Sequence, residues 1–232
     1  MKRATLLAMT IICLMNVSAQ EEPKTKEKVV DDKSKDRIVL DFTFDNWLHQ
    51  LPASSGFSTD WFSRGFNLYM MYDVQLGSSP MSLAIGAGLG TSSMFLNSAI
   101  VKADSGKVST FAPITQDYKK NKLSLNYVEV PIELRYRSKS SPNGNSFKVA
   151  LGFKGGYLFN SHTKYKIEEN GKSKTFKESR IDNLYKFRFG PTFRIGYGPV
   201  NFIAWYGASK VFDNGKGPDL RPFSVGISIN GL

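Results

Sequence analysis

The 232-residue chain carries 31 Lys and Arg against 20 Asp and Glu, and Cys13 is its only cysteine. That length suits one barrel or sandwich, or at most two small domains, and a lone cysteine excludes a disulfide framework or a cysteine metal site. A formal charge of +11 favours anionic neighbours such as lipid head groups or phosphorylated glycolipid, without naming one.

Residues 1–19 read as a secretory signal. Lys2 and Arg3 give a positive start, residues 6–14 a short apolar run, and Val17-Ser18-Ala19 a small-residue cleavage site. The apolar run falls short of the ~20 residues that a spanning helix needs. Cleavage would start the mature chain at Gln20 and leave 29 basic against 20 acidic residues, a charge of +9. Residues 20–35 are almost wholly charged or polar and read as a linker, since such a segment buries too little apolar surface to fold. No later segment resembles a spanning helix, so any crossing of a membrane would be by strands.

From residue 36 the text alternates with a period of two, the period of a strand. Strands are expected over 37–47, 64–76, 81–92, 122–137, 147–160, 183–196, 200–210 and 221–230. The stretch 127–137 is the clearest. Val128, Val130, Ile132, Leu134 and Tyr136 share one face, and Glu129, Glu133, Arg135 and Arg137 the other. The apolar parity of that strand changes between Leu125 and Val128, which predicts a bulge. Long polar segments around 48–63, 94–121 and 161–182 follow the odd-numbered strands, and short turns follow the even-numbered ones.

Most of these strands have ten or more residues, which suits a tilted membrane crossing of ~9–11. Alternating long and short connections are the pattern of outer-membrane barrels. Aromatic residues fall into two groups, with Phe44, Trp47, Phe66, Tyr157, Phe159, Tyr185, Phe187, Tyr206 and Phe223 towards the long-loop rim. Tyr72, Tyr136, Phe147, Tyr197 and Phe202 fall towards the other, as expected of rings at lipid–water boundaries. The fold read from these features is all-β: an eight-stranded antiparallel transmembrane β-barrel of the outer-membrane type over residues 36–232. The competing fold is a water-soluble lipocalin-like barrel, which would turn its charged face outwards and enclose a ligand with the apolar one.

In such a barrel the charged face points into a lumen just wide enough for side chains to fill. Glu129, Glu133, Arg135, Lys154, Arg188 and Arg194 are therefore expected to form a structural network of ion pairs, with Asp41, Asp73, Arg137, Lys148 and Lys186 on the same face. His49 and His162 fall in expected outer loops, the first near Ser54, Ser55, Ser58 and Asp60, the second beside Ser161. A Ser-His-acid set is defined by geometry rather than by proximity in sequence, so these read as ordinary loop residues. No metal-ligand spacing or cofactor motif stands out, and no catalytic residue, cofactor or metal is expected. Gly86-Ala87-Gly88-Leu89-Gly90 reads as a strand with small inward residues, because no helix follows it. Loop lysines, Lys102, Lys107, Lys119, Lys120, Lys122, Lys164, Lys166, Lys172, Lys174 and Lys177, are placed to meet solvent, outer-leaflet glycolipid or a protein partner. Nucleic acid is not expected outside the cell.

Ser18-Ala19-Gln20, the run Tyr127-Val128-Glu129-Val130-Pro131-Ile132 with Leu134-Arg135-Tyr136, and the glycine-punctuated strand around 152–156 together resemble the PorT-like family of small outer-membrane β-barrels from Bacteroidetes-type bacteria. The resemblance spans about 36–232. It implies an outer-membrane barrel, and the family's namesake is an accessory component of the type IX secretion system. The expected role is non-catalytic, structural, adhesive or accessory, in contact with outer-membrane lipid and glycolipid and with an envelope or secretion-complex protein. The competing roles are a small-solute porin and a lipid A-modifying enzyme.

Overall fold

The computed structural model describes residues 37–49, 57–103, 107–114, 118–141, 145–169 and 172–230. The expected signal (1–19) and charged linker (20–35) lie outside them. The described residues form β1 (Ile38–His49), β2 (Arg64–Gln75), β3 (Met81–Phe95), β4 (Ser98–Ala103), β5 (Val108–Pro113), β6 (Tyr118–Arg137), β7 (Phe147–Glu169), β8 (Lys172–Ser179), β9 (Phe187–Tyr197), β10 (Val200–Tyr206) and β11 (Leu220–Asn230).

Eight of these strands close an antiparallel barrel in the order β1-β2-β3-β6-β7-β9-β10-β11, with β11 returning to β1. Closure leaves no edge, so every barrel strand has a ladder partner on both sides, the condition for a sheet to survive in lipid. The ladder from β3 to β6 is interrupted beside Pro131, between the pairs Ile85↔Ile132 and Gly88↔Glu129, because proline has no N–H to give. The short turns β2–β3, β6–β7 and β9–β10 sit at the end where β1 begins and β11 finishes. By the general rule for such barrels that end is periplasmic, and the long connections are extracellular.

The outward face is apolar: Phe42, Phe66, Leu68, Met70, Leu89, Val128, Val130, Ile132, Leu134 and Phe153 are all exposed, Met70 to 73%. A continuous belt of this size has no place on a water-soluble surface. The inward face is polar, with Asp41, Glu129 and Glu133 no more than 1% exposed. The wall is therefore inside-out relative to a lipocalin-like barrel. Glycines make room for the inward charges. A Cβ on Gly90 would stand 2.5 Å from Glu129 Oε2, and one on Gly152 2.7 Å from Glu133 Cγ.

The eight expected strands are all present, with four differences. First, β6 keeps one parity from Lys120 to Arg137. Its odd residues from Asn121 to Glu133 are buried and its register with β3 is uniform from Phe95↔Lys122 to Gly88↔Glu129. The expected bulge on this strand is not there; the register shift falls on β7, where Phe159 is extra between Asn126↔Asn160 and Tyr127↔Leu158. The change between Leu125 and Val128 is a change in what the two faces meet. Below Asn126 the outside is apolar and the inside polar. Above it the inside is apolar (Leu123, Leu125) and the outside polar (Lys120, Lys122).

Second, the long segments are not simply polar loops. β4 and β5 pair as a hairpin, and β7 continues beyond the barrel to pair with β8. Third, β9 starts at Phe187 rather than 183, because Asn183 has a φ of 62°, a left-handed value that Asn tolerates and a strand does not. Fourth, β10 ends at Tyr206 rather than 210, and the chain beyond it turns inward to bury Val211 and Phe212. Trp47, expected in the outer aromatic ring, is 3% exposed and points inward, whereas Phe44, Phe66, Tyr157 and Phe187 do face outward.

Protein purified in detergent is expected to be strand-rich by circular dichroism and to migrate faster unheated than boiled on a gel. Ile132→Arg, in the middle of the outward apolar run of β6, should cost about 2–4 kcal/mol of folding stability in bilayers, measured by denaturant titration with the same gel shift. A variant as stable as the parent would place that face away from lipid.

Candidate functional site

The polar lumen is a layer of coupled ion pairs. Arg194 on β9 grips Asp41 on β1 with both terminal nitrogens, at 2.6 Å to Oδ1 and 3.0 Å to Oδ2. Its Nε donates to Glu133 Oε1 on β6 at 2.9 Å, and Ser228 on β11 accepts a further bond from it. Arg135 donates from Nε to the other oxygen of Glu133 at 2.8 Å and from Nη1 to Asp73 on β2 at 2.9 Å. One chain of charge thus links β1, β2, β6 and β9 across the barrel.

A second group lies towards the outer end. Glu129 Oε1 accepts from Arg188 Nε at 2.7 Å, and its Oε2 accepts from the Tyr69 hydroxyl at 2.5 Å with Lys154 Nζ 3.5 Å away. The Arg188 guanidinium lies 3.7 Å from the ring centre of Tyr127, and Lys154 Nζ lies 4.5 Å from that of Trp205, so the cations also rest on aromatic faces. Across both groups four cations (Arg135, Lys154, Arg188, Arg194) meet four carboxylates (Asp41, Asp73, Glu129, Glu133). Buried charge is tolerated only when so paired and hydrogen-bonded. A further carboxylate, Asp45, accepts from Thr43 Oγ1 at 2.7 Å and Ser92 Oγ at 2.5 Å.

The six residues expected to form the network are therefore brought together, and Asp41 and Asp73 join them. Tyr69 and Asp45 were not among them. The parity of β2 carries the signal for Tyr69, since it shares the inward face with Asn67 and Asp73 and a buried phenol needs a partner. Lys186, expected on the inward face, is exposed and precedes β9.

Above the charges the lumen is closed by an apolar cap. Trp47, Phe57, Met94, Leu96, Leu123, Leu125, Leu184, Phe212 and Leu220 are buried together, and Ile100 and Phe111 of the β4–β5 hairpin pack against them. The Phe57 and Phe111 rings are 4.1 Å apart, and Phe111 meets Phe212 edge-on at 6.1 Å. Polar ties hold the hairpin down: Ser109 N donates to Lys216 O at 2.9 Å, Asn183 Nδ2 donates to Ser109 Oγ at 3.0 Å, and Lys102 pairs with Asp182 at 2.5 Å. The hydrogen bond to Asp182 raises the Lys102 pKa.

Among the described residues, His162 and Ser161 do not form a hydrolytic pair. His162 faces outward on β7 with Nδ1 3.4 Å from Asn160 Oδ1, whereas Ser161 is buried and its hydroxyl accepts from Ile181 N at 3.0 Å. Burial, then the nearby Lys177, Lys122 and Lys164, lowers the His162 pKa. His49 ends β1 in register with Leu220. Ser54 and Ser55 lie outside the described residues; Ser58 N donates to Asn97 Oδ1 at 2.8 Å, and Phe62 N donates to Asp60 Oδ1 at 3.1 Å.

A closed eight-stranded wall, lipid-facing outside and filled with paired charge inside, defines a small outer-membrane β-barrel. Among known families, residues 40–209 match the outer membrane protein beta-barrel domain. The chain belongs to that family. No curated protein matches it, and no solved structure does.

Glu133→Gln strips the shared carboxylate from Arg194 and Arg135 and is expected to cost about 3–5 kcal/mol. Tyr69→Phe removes one donor to Glu129 and should cost about 1–3 kcal/mol. Urea titration followed by the gel shift reads both; an effect of Glu133→Gln no larger than that of an exposed lipid-facing swap such as Leu134→Val would refute the network's structural role.

Proposed function

We propose that the protein is a non-conducting, non-catalytic outer-membrane barrel that holds a rigid extracellular platform, as a structural, adhesive or secretion-associated accessory of the envelope. The observation that carries this reading is the burial of Glu129 and Glu133, 0% and 1% exposed at the middle of the lumen. Solvent does not reach them, so an ion entering from either end would have to break two coupled salt-bridge groups. A pocket of about 20 Å³ at the periplasmic mouth, between Arg135, Arg194 and Asn201, has room for about one water. The porin reading is the weaker one for this reason.

The platform supports the accessory reading. A cleft of about 640 Å³ lies between the hairpin and the raised β7–β8 sheet, lined by Ile100, Val101, Ile114, Tyr165 and Phe176. Binding surfaces work best on rigid elements, and the cap beneath this cleft is packed like a soluble core. The separation of Ser161 from His162 onto opposite faces supports a non-catalytic role. The resemblance to PorT-like barrels favours a secretion-complex partner over a free-standing adhesin.

Reconstituted in planar bilayers, the wild-type protein is expected to show no current steps in concentrated KCl. Replacing 98–113 with a short Gly-Ser link should leave it silent, because the ion-pair layer seals the lumen below the cap. Steady channels in the wild type would sink the accessory reading in favour of a porin.

A further inference from the structure

The raised wall above the lipid belt carries a cluster of cations on its outward side. Lys122 on β6 stands directly across from Lys164 on β7 and beside Phe95 on β3. Lys120 Nζ lies 5.1 Å from the Phe95 ring centre, and the Arg64 guanidinium lies 6.0 Å from it. Burial, then the like charges of Lys120, Lys164 and Arg64, lowers the Lys122 pKa. Among the described residues, Arg64, Lys120, Lys122 and Lys164 take part in no ion pair. The nearby carboxylates are committed or averted. Glu168 pairs with Lys119 at 2.5 Å; Asp60 lines the adjoining pocket with Arg64 and Lys120 but accepts at Oδ1 from Phe62 N and pairs with neither cation; Glu178 lies in register with Thr163, on the other face of the raised sheet. Like charges gathered without a counter-charge are unfavourable unless an anion joins them.

A groove of about 510 Å³ is lined by Arg64, Lys120 and Lys122 together with four rings: Phe95 level with Lys122, Phe44 level with Arg64, and Phe42 and Phe66 two residues nearer the lipid belt. Phe42, Phe44 and Phe66 are 42–51% exposed, and the Phe42 and Phe66 rings meet at a tilt of 54° with centres 5.3 Å apart. Cations above and bare aromatic rings below, at the level where the wall passes from apolar to polar, match one shape of ligand: an anionic head group on acyl chains. We propose that this groove binds a phosphorylated glycolipid of the outer leaflet, its phosphate between Arg64, Lys120 and Lys122 and its acyl chain along Phe42, Phe44 and Phe66. The site goes beyond the platform role and would stand if that role failed, because it depends only on the barrel's place in the membrane.

The test uses the full-length protein, stripped of lipid in non-ionic detergent, with bis-phosphorylated lipid A as the probe. Binding is read by native mass spectrometry and by the rise in melting temperature. The phosphorylated lipid is expected to bind and to stabilise. The dephosphorylated lipid should bind far more weakly, and inorganic pyrophosphate should not displace the phosphorylated one. Arg64→Gln/Lys120→Gln/Lys122→Gln should weaken binding by roughly a hundredfold. A control triple at the same end, Lys107→Gln/Lys174→Gln/Lys186→Gln, has the same charge change and should bind as the parent does. Without lipid, the groove triple should melt no lower than the parent, since it relieves repulsion; that result separates a lost ligand site from a lost fold. Equal weakening by both triples would reduce the effect to bulk charge and overturn the proposal. So would equal binding of the phosphate-free lipid, or displacement by pyrophosphate, which would mark a site for free anions.

Discussion

Closing eight strands into a tube leaves an interior just wide enough for side chains, and that constraint governs the rest of the molecule. Every polar residue on the inward parity must find its partner inside, within one side chain's reach. Arg194 meets the demand best, joining Asp41 on the first strand to Glu133 on a strand near the middle of the chain. Those two acids come from segments far apart in sequence, so the pair locks the closure as well as the charge. The small residues of β3 and β7 follow from the same limit: where a carboxylate such as Glu129 or Glu133 needs room, the opposing wall is glycine. Buried ion pairs of this kind add little over an apolar filling, but losing one member is costly. The network is thus better understood as what fixes the register and fills the lumen than as a source of surplus stability.

The second constraint is the boundary between lipid and water. It passes through β6 near Asn126, and there the two faces of one unbroken strand exchange roles. Glu129 and Glu133 point in and Val128 and Ile132 point out below it; Leu123 and Leu125 point in and Lys120 and Lys122 point out above it. Below the boundary the protein is a membrane barrel. Above it, the same strands form a soluble-type wall with an apolar core inside and water outside. The cap needs no separate domain, because the extended wall already supplies its floor and sides.

This exchange explains what the sequence made legible and what it hid. The strand text of the membrane belt is regular, so Val128–Tyr136 on β6 and Phe66–Tyr72 on β2 announce their lipid faces residue by residue, and the inward Glu129, Glu133, Lys154, Arg188 and Arg194 follow by parity alone. The exchange near Asn126 breaks the regularity without moving the backbone, and so imitates a bulge. The register shift at that height puts the extra residue on β7, at Phe159, between half-buried Leu158 and exposed Asn160. Trp47 read as a lipid-boundary ring because its strand ends at the rim, but its odd parity with Asp41 and Asp45 sends it inward. The hairpin was readable in principle, since Ile100-Val101 and Val108 flank Asp104-Ser105-Gly106, residue types that favour turns in any sequence. Its high lysine and serine content masked the two short β-branched runs. Which cation meets which acid stayed hidden, because parity selects a face and only the register across neighbouring strands selects a partner.

The raised part of the wall carries two surfaces that differ in kind. Its inner side packs Ile100 and Phe111 into the cap and opens the cleft beside Tyr165 and Phe176. Its outer side gathers Lys122, Lys164 and Arg64 above bare aromatic rings. Alternation along a strand makes such a division natural, because successive side chains must serve opposite sides. A ligand on the outer side would neutralise the repulsion between β2, β6 and β7 at their point of exit from the bilayer. That is the height at which the ladder between β6 and β7 changes register and has least help from lipid-belt packing. Anion binding there would stiffen the root of the β7–β8 sheet, and through it the cleft on the other side. The two surfaces are then coupled by the rigidity of shared strands alone, with no moving part between them.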